Sequence, residues 1–383
     1  MQNRSPLLLA IGGMLAMTAA MGIGRFVYTP ILPMMVDQLD LSQSQAGLIA
    51  SSNFLGYLLG AMIAATPLLN GSARKWLLTA LVLSAVTTIS MAFTKTYYGF
   101  LTLRFFGGLV SSWVLVFATT LIIERLVESG RGELTAILFA GVGVGIVIAA
   151  LLTGLAVLWD LGWKGAWFLS GAVALAATIV VAFVVPDRER TVEKTRDKTT
   201  SPTKALGGLL PAYALFGFGY VITATFLVQL VRDSQFSFAI EILVWVIVGV
   251  AVIPSIGLWN RLAAKTSNVA AFAVATLVLA VGVASSVLIN HVAGLIFAAV
   301  SLGATFMGIT ALGLVEARRR SSENAKRTLA LMTAAFGVGQ IIGPAAAGYL
   351  VDQSGSFMLP SMLAVISLIA AAVIVKKDSR NFE

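Results

Sequence analysis

Arg25 and Arg104 are the residues whose type and position most clearly indicate chemistry in this chain. Each stands inside an apolar stretch long enough to cross a lipid bilayer, where an ionisable side chain is costly and usually serves a function. Arg25 lies about twelve residues before the end of the first stretch and Arg104 about six after the start of the fourth, which predicts similar depths in the membrane.

These two guanidinium groups have no acidic residue deep in any predicted helix to pair with. They would therefore attract a carboxylate, sulfonate or phosphonate. The alternative is structural, because each arginine could instead bind backbone carbonyls that the glycines and prolines of the first stretch leave free.

Aromatic and polar side chains in other predicted helices extend the candidate substrate site. Tyr220 stands 195 residues after Arg25, at the spacing of an internal repeat, and its phenol could donate a hydrogen bond to an anion. The other candidates are Tyr28, Trp113 and Gln340. For each of them, ordinary packing between helices is the alternative.

Glu241 is the candidate for a residue that takes up and releases a proton within the membrane. It lies a few residues into the eighth predicted helix, with Trp245 one turn further on, where burial would favour the protonated form. So close to the interface, the carboxylate could also stay hydrated.

Charged residues at the ends of two helices indicate a gate. Glu124 and Glu316 end the fourth and tenth predicted helices at equivalent repeat positions, with Arg131 and Arg327 nearby. Ion pairs among them would close the cytoplasmic face of the protein. The alternative is that these charges only keep the loops soluble.

Composition places the chain in a membrane. Of its 383 residues 58% are hydrophobic and 11% are charged, and the mean hydropathy is +0.93. About twelve segments approach the roughly 20 apolar residues that cross a bilayer, which predicts an all-α membrane protein with twelve transmembrane helices. Most lysines and arginines fall in every second connection, so the positive-inside rule predicts that both termini are cytoplasmic. Because this positive charge is divided among short loops, a nucleic-acid partner is not expected.

An internal repeat divides the chain. Gly22-Ile23-Gly24 recurs as Gly217-Phe218-Gly219, and Gly108 recurs as Gly303 at the same offset. The long connection near the middle is polar and rich in charge. We therefore expect an N-terminal six-helix bundle over 1–186, a cytoplasmic linker over 187–206 and a C-terminal six-helix bundle over 207–383.

The chain resembles the major facilitator superfamily over its whole length, and the stretch from Gly22 to Pro30 together with Gly217 to Tyr220 resembles its YbfB/YjiJ-like branch. The resemblance implies that helices 1, 4, 7 and 10 line a central cavity and that the two halves alternate access to it. The Arg-and-Gly motif of helix 4 is matched by Arg104 and Gly108. The acidic member of the superfamily's loop motif is replaced by Asn70 and, in the repeat, by Asn260.

The sequence therefore predicts a secondary or facilitative transporter of a small organic anion in the bacterial inner membrane. Export of amphiphilic drugs or toxic compounds is the alternative, favoured by the aromatic-rich apolar helices. The expected partners are a small-molecule substrate, the lipid bilayer and a coupling proton or counter-anion, with the protein acting as a monomer. No metal site, cofactor or enzymatic activity is expected, since the chain has no cysteine, one histidine and no paired intramembrane carboxylates.

Overall fold

The computed structural model describes residues 5–187, 189–190, 206–321 and 325–379, and nearly all of these are helical. A two-stranded antiparallel ladder joins β1 (Gly71–Ser72) to β2 (Glu189–Arg190). The α-helices are α1 (Pro6–Met17), α2 (Tyr28–Leu39), α3 (Gln43–Ala64), α4 (Ala73–Ser90), α5 (Tyr97–Glu128), α6 (Thr135–Leu158), α7 (Gly162–Val184), α8 (Leu209–Asp233), α9 (Phe238–Lys265), α10 (Asn268–Leu288), α11 (Val292–Arg320), α12 (Ala325–Ser354) and α13 (Met358–Ser379).

Eleven helical segments of the described chain are long and apolar enough to cross a membrane. The first of them, Pro6–Leu39, combines α1 and α2. Outside these eleven, the 18-residue helix α4 occupies the place of the third predicted transmembrane helix. The prediction of an all-α membrane protein is confirmed.

The first segment is interrupted in its middle. Between α1 and α2 the chain forms a π-helix, Thr18–Ile23, followed by a turn at residues 24–27. Gly22 is required there, because a Cβ atom at this position would meet the backbone of Gly145 and would lie 2.8 Å from the carbonyl oxygen of Val142. A π-turn shifts the hydrogen-bond register, and such segments are frequent at functional sites.

The chain divides into two compact units. The first unit is Met1–Asp40 with Ser52–Glu193, and the second is Leu41–Ser51 with Lys194–Glu383. The change near residue 193 falls within the predicted linker 187–206, most of which lies outside the described residues. The predicted bundles 1–186 and 207–383 differ from these units chiefly in Leu41–Ser51, so the division into bundles stays a prediction.

In the first unit, α1 packs against α5, α6 and α7, and α4 packs against α5 and α7. Its largest fully buried side chains are Tyr28, Phe100, Phe117 and Trp167. In the second unit, α11 packs against α9 and α10, while α8 packs against α12 and α13. Its largest fully buried side chains are Tyr213, Phe216, Trp245 and Phe272.

The start of α3 belongs to the second unit because it is held by α12. The carboxylate of Asp352 accepts hydrogen bonds from the backbone N–H groups of Gln43 and Ser44, both at 2.9 Å, and so satisfies two donors at the N-terminus of α3. Ser51 donates from Oγ to the carbonyl oxygen of Ile341 at 2.6 Å.

The loop between α3 and α4 is tied to the end of α7. Arg74 donates from Nε to the carbonyl oxygen of Val185 at 2.8 Å, which places a cation at the C-terminus of that helix. Ser72 donates from Oγ to the two carboxylate oxygens of Asp187 at 2.7 and 2.8 Å. The loop motif that has Asn70 in place of an acid is therefore bound to a carboxylate from another part of the chain.

Candidate functional site

Arg25 lies in the turn between the π-helix and α2, and its side chain is surrounded by aromatic rings of the first unit. The residue is 6% exposed. Its Cζ atom lies 4.2 Å from the ring centroid of Tyr57, 4.7 Å from that of Phe54 and 5.9 Å from that of Phe26. Its Nε and Nη2 atoms have no hydrogen-bond partner among the described residues. The site therefore holds a buried positive charge with two donors that the protein leaves unused.

Arg104 on α5 donates hydrogen bonds to two backbone carbonyl oxygens of the first segment. It donates from Nη1 to the carbonyl oxygen of Gly24 at 3.0 Å and from Nη2 to that of Arg25 at 3.1 Å. Its Cζ atom lies 5.1 Å from the ring centroid of Tyr28 and 5.9 Å from that of Trp167. Arg104 thus binds carbonyls that the interruption of the first segment leaves free, the structural role considered for it above, and its part in substrate binding stays a prediction.

Close helix packing brings the aromatic rings to Arg25. A Cβ atom on Gly56 of α3 would meet the carbonyl oxygen of Phe105, and one on Gly108 of α5 would meet that of Asn53. These glycines let the backbones of α3 and α5 touch. Asn53 reinforces the contact by donating from Nδ2 to the carbonyl oxygen of Arg104 at 2.8 Å, and its Oδ1 has no partner among the described residues.

The two other predicted site residues of the first unit differ in their relation to Arg25. Tyr28 lies beside Arg104, and its ring centroid is 6.4 Å from that of Trp167. Trp113 donates from Nε1 to the carbonyl oxygen of Gly60 at 3.1 Å, between α3 and α5. The structure therefore groups Arg25, Arg104 and Tyr28, whereas Trp113 lies more than two helical turns beyond Arg104 along α5.

Tyr220 and Gln340 are brought together in the second unit, where Gln340 donates from Nε2 to the phenol oxygen of Tyr220. The Tyr220 ring is stacked on Phe306 at 5.7 Å with an interplanar angle of 4°, and on Phe336 at 5.6 Å with an angle of 3°. Phe216 stacks on it as well, at 5.2 Å and 26°. Tyr220 is thus the centre of a largely buried cluster of stacked rings.

Glu241 has a fixed cationic partner. Arg232 donates from Nε and Nη2 to its two carboxylate oxygens at 2.9 and 2.7 Å. The Glu241 side chain is 4% exposed and that of Arg232 is 24% exposed. One turn from Glu241, the buried Trp245 has an Nε1 atom without a partner among the described residues. Glu241, the predicted coupling residue, therefore forms a bidentate ion pair with Arg232.

The four predicted gate residues are divided between the two units, with Glu124 and Arg131 in the first and Glu316 and Arg327 in the second. Glu316 is buried and accepts hydrogen bonds from Arg319 and Arg320. Arg131 pairs with its neighbour Glu133 at 2.6 Å. Glu124 and Arg327 are exposed. The gate stays a prediction.

The buried arginine that joins Glu316 to Asp378 was not predicted from the sequence. The Arg320 side chain is 2% exposed and lies between Glu316, at 2.8 Å, and Asp378. Asp378 in turn accepts a hydrogen bond from the backbone N–H of Gly208 at 3.1 Å. The run Arg318-Arg319-Arg320 is visible in the sequence, but nothing in it indicates which of the three arginines has a buried side chain.

Comparison with known proteins identifies the family to which this chain belongs. The model of a family described as "Uncharacterised MFS-type transporter YbfB" matches residues 17–376. The chain belongs to this family of the major facilitator superfamily. The resemblance noted from Gly22 to Pro30 and from Gly217 to Tyr220 is thereby confirmed, and the chain is a multi-pass membrane protein of this transporter family.

The individual relatives are distant. The chain is 28% identical over 272 residues to the MFS-type transporter YtbD of Bacillus subtilis, covering 70% of this chain and 66% of that protein. It is 26% identical over 174 residues to the 4-hydroxybenzoate transporter PcaK of Pseudomonas aeruginosa, covering 45% and 37%. The matched part thus spans less than two thirds of the length of either relative.

A solved structure supports the fold. A mutant form of the nucleoside transporter NupG superimposes with a TM-score of 0.74 at 14% identity, covering 98% of this chain and 100% of NupG. At this identity the likeness concerns the fold alone, which is the predicted major facilitator fold.

Proposed function

We propose that this transporter moves a small organic anion across the bacterial inner membrane by alternating access, and that Arg25 binds the anion. The observation that carries the proposal is the buried Arg25 guanidinium, whose Nε and Nη2 atoms have no partner among the described residues. The residue stands at a π-helix in the first transmembrane segment, where the backbone is already interrupted.

The energetics favour a negatively charged ligand. A buried guanidinium with unused donors is costly in a region of low dielectric constant, and the contacts with Tyr57 and Phe54 offset only part of that cost. An anion that accepts hydrogen bonds from both free donors would neutralise the charge and satisfy the donors together.

Arg104 and Tyr28 would act by positioning. Arg104 holds the carbonyl oxygens of Gly24 and Arg25, and its guanidinium faces the Tyr28 ring. The stated activity of the relative PcaK points the same way, since 4-hydroxybenzoate is a carboxylate at neutral pH. Trp113, Tyr220 and Gln340 remain proposed binding residues and Glu241 a proposed coupling residue. Glu124, Arg131, Glu316 and Arg327 remain the proposed gate.

A cavity at the face predicted to be external also suits anions. It has a volume of about 410 Å³ and is lined in part by Lys95, Lys164 and Trp163 of the first unit. Both lysines are exposed, and neither forms an ion pair with a described residue. Such a surface would raise the local concentration of anions.

The test is anion-dependent thermal stability of the purified protein in detergent, followed by uptake of the stabilising anion into proteoliposomes. A ligand that binds only the folded state raises the unfolding temperature. We expect stabilisation by organic anions in the wild type and in the control Arg319→Gln, whose side chain is 68% exposed, and none in Arg25→Gln. Stabilisation by cations or neutral drugs with no response to anions would refute the proposal.

The parallel rings around Tyr220 favour the second candidate, export of amphiphilic or toxic compounds. Of the stacked rings Phe306, Tyr220 and Phe336, the half-buried Phe336 is the one on which a flat lipophilic ligand could stack. For this function, expression of the protein should raise drug tolerance of a sensitive host, and Tyr220→Leu should abolish that gain. Unchanged tolerance to aromatic drugs across a wide panel would exclude it.

A further inference from the structure

The two free nitrogens of Arg25 have a geometric relation that specifies the ligand further. Nε and Nη2 lie on one edge of the guanidinium plane, and their N–H groups point away from it in parallel. A planar group with two acceptor oxygens on one atom matches this edge.

The protein itself uses this edge to bind carboxylates. Arg232 donates from Nε and Nη2 to the two oxygens of Glu241 at 2.9 and 2.7 Å. Arg319 donates from the same two atoms to Glu316, both at 2.9 Å. In Arg25 the corresponding edge is buried and has no carboxylate from the described chain.

The aromatic surroundings of Arg25 restrict the shape of the bound group. The ring centroids of Tyr57 and Phe54 lie 4.2 and 4.7 Å from its Cζ atom, so rings cover the guanidinium. A carboxylate bound to the edge lies in the guanidinium plane. A sulfonate or phosphonate bound through two oxygens places its third oxygen on one side of that plane and its organic group on the other. An anionic oxygen beside the negative face of a ring is repelled.

We propose that Arg25 binds the transported anion as a carboxylate, side-on through Nε and Nη2, in preference to sulfonates and phosphonates. This inference rests on the proposed function, because it names the substrate class for the same site. Lysine cannot replace Arg25 in this role, since its ammonium group is a point charge without two parallel donors.

The experiment compares anions that share one organic group. Affinities for benzoate, benzenesulfonate and phenylphosphonate, and for acetate and methanesulfonate, are measured by thermal unfolding of the full chain in detergent. We expect wild-type protein to bind at least one carboxylate about tenfold more tightly than its sulfonate partner. Arg25→Lys should keep weak anion binding and lose the preference, and Arg25→Gln should lose both.

A second variant isolates the contribution of the rings. Phe54→Leu keeps the guanidinium edge and removes one covering ring, so we expect carboxylate binding to persist while the discrimination against sulfonate falls. Equal affinity of the wild type for carboxylates and sulfonates, or full preference in Arg25→Lys, would overturn the side-on assignment and leave the proposed anion transport standing. If no anion of either type stabilises the wild type, the proposed function fails as well.

Discussion

Arg104 donates a hydrogen bond from Nη2 to the backbone carbonyl oxygen of Arg25 at 3.1 Å, so one intramembrane arginine fixes the main chain that carries the other. The two residues are both buried, at 4% and 6% exposed, yet their donors are used differently. Arg104 donates from Nη1 and Nη2 to the backbone and has Nε without a partner among the described residues, whereas Arg25 has both Nε and Nη2 without one. This difference is the basis for the proposal that Arg25 binds the substrate and Arg104 positions it.

The first prediction follows from that difference, because replacement of the two arginines should change stability in opposite directions. Arg104→Gln removes bonds to the carbonyls of Gly24 and Arg25, and each hydrogen bond to a charged group contributes about 1.5–3 kcal/mol. Arg25→Gln removes a buried charge with unsatisfied donors, which should stabilise the ligand-free protein by about 1–3 kcal/mol. Unfolding temperatures of the two variants in detergent measure both effects.

The control for this prediction is Arg319→Gln, which changes an arginine that is largely exposed. Its unfolding temperature should stay close to that of the wild type. If Arg25→Gln lowers the unfolding temperature of the ligand-free protein as much as Arg104→Gln does, Arg25 is a structural tie and the binding role is wrong.

The second prediction concerns the backbone contact at the π-helix. In Gly22→Ala the new methyl group would meet the backbone of Gly145, and overpacking of this kind costs about 1–3 kcal/mol. Gly257→Ala on α9 is the matched control, because a Cβ atom there meets nothing within 4 Å. We expect a lower unfolding temperature for Gly22→Ala and an unchanged or higher one for Gly257→Ala. Equal behaviour of the two variants would contradict the close approach.

The helices could be predicted from sequence because apolar runs of the required length are visible without any knowledge of packing. The glycines and prolines of the first stretch indicated that carbonyls could be left free there, but the π-helix at Thr18–Ile23 could not be predicted, because hydropathy does not depend on the hydrogen-bond pattern. Arg25 and Arg104 stood out as charges in apolar runs. Their different hydrogen-bond partners depend on which carbonyls lie opposite α5, and this is set by tertiary packing.

The aromatic residues that surround Arg25 also depend on tertiary packing and could be predicted from the sequence only in part. Phe54 is one of 21 phenylalanines, and nothing local marks it as the residue that covers a guanidinium. Tyr57 shares a helix face with Asn53, which is readable from their spacing of four residues. The pairing of Arg320 with Asp378 is harder still to predict from the sequence, because the two residues lie 58 positions apart in the chain.

The third prediction concerns the buried pair of Arg232 and Glu241. Arg232→Gln leaves the carboxylate of Glu241, which is 4% exposed, without its bidentate partner and should cost about 3–5 kcal/mol. Glu241→Gln should cost less, because the Arg232 side chain is 24% exposed and can reach solvent or headgroups. The double variant should lose less stability than the two single losses added together. Unfolding temperatures of the wild type, the two single variants and the double variant complete this double-mutant cycle. Additive effects of the two changes would show that the pair contributes nothing.

Transport assays on the same variants test the coupling role of Glu241. If this carboxylate carries the coupling proton, Glu241→Gln should abolish accumulation driven by a pH gradient and preserve exchange of labelled for unlabelled substrate. Retention of gradient-driven accumulation in Glu241→Gln would assign the pair to structure alone.

The fourth prediction concerns the orientation of the protein in the membrane. Because the chain has no cysteine, a single introduced thiol reports on one position without background. Ser129 lies between α5 and α6 at the face predicted to be cytoplasmic, Ser356 lies between α12 and α13 at the face predicted to be external, and both are exposed. A membrane-impermeant maleimide should label Ser356→Cys in intact spheroplasts and should label Ser129→Cys only after lysis. The reverse pattern would invert the assigned topology.

The fifth prediction compares two neighbouring arginines that both bind Glu316. The Arg320 side chain is 2% exposed and also contacts Asp378, so Arg320→Gln leaves two carboxylates short of a partner and should cost about 3–5 kcal/mol. Arg319→Gln removes a pair whose arginine is 68% exposed, which should cost no more than about 1 kcal/mol. If the network also serves as a gate, Arg320→Gln should change the rate of substrate exchange more than the affinity. A loss of affinity with no change in rate would place Arg320 outside any gate.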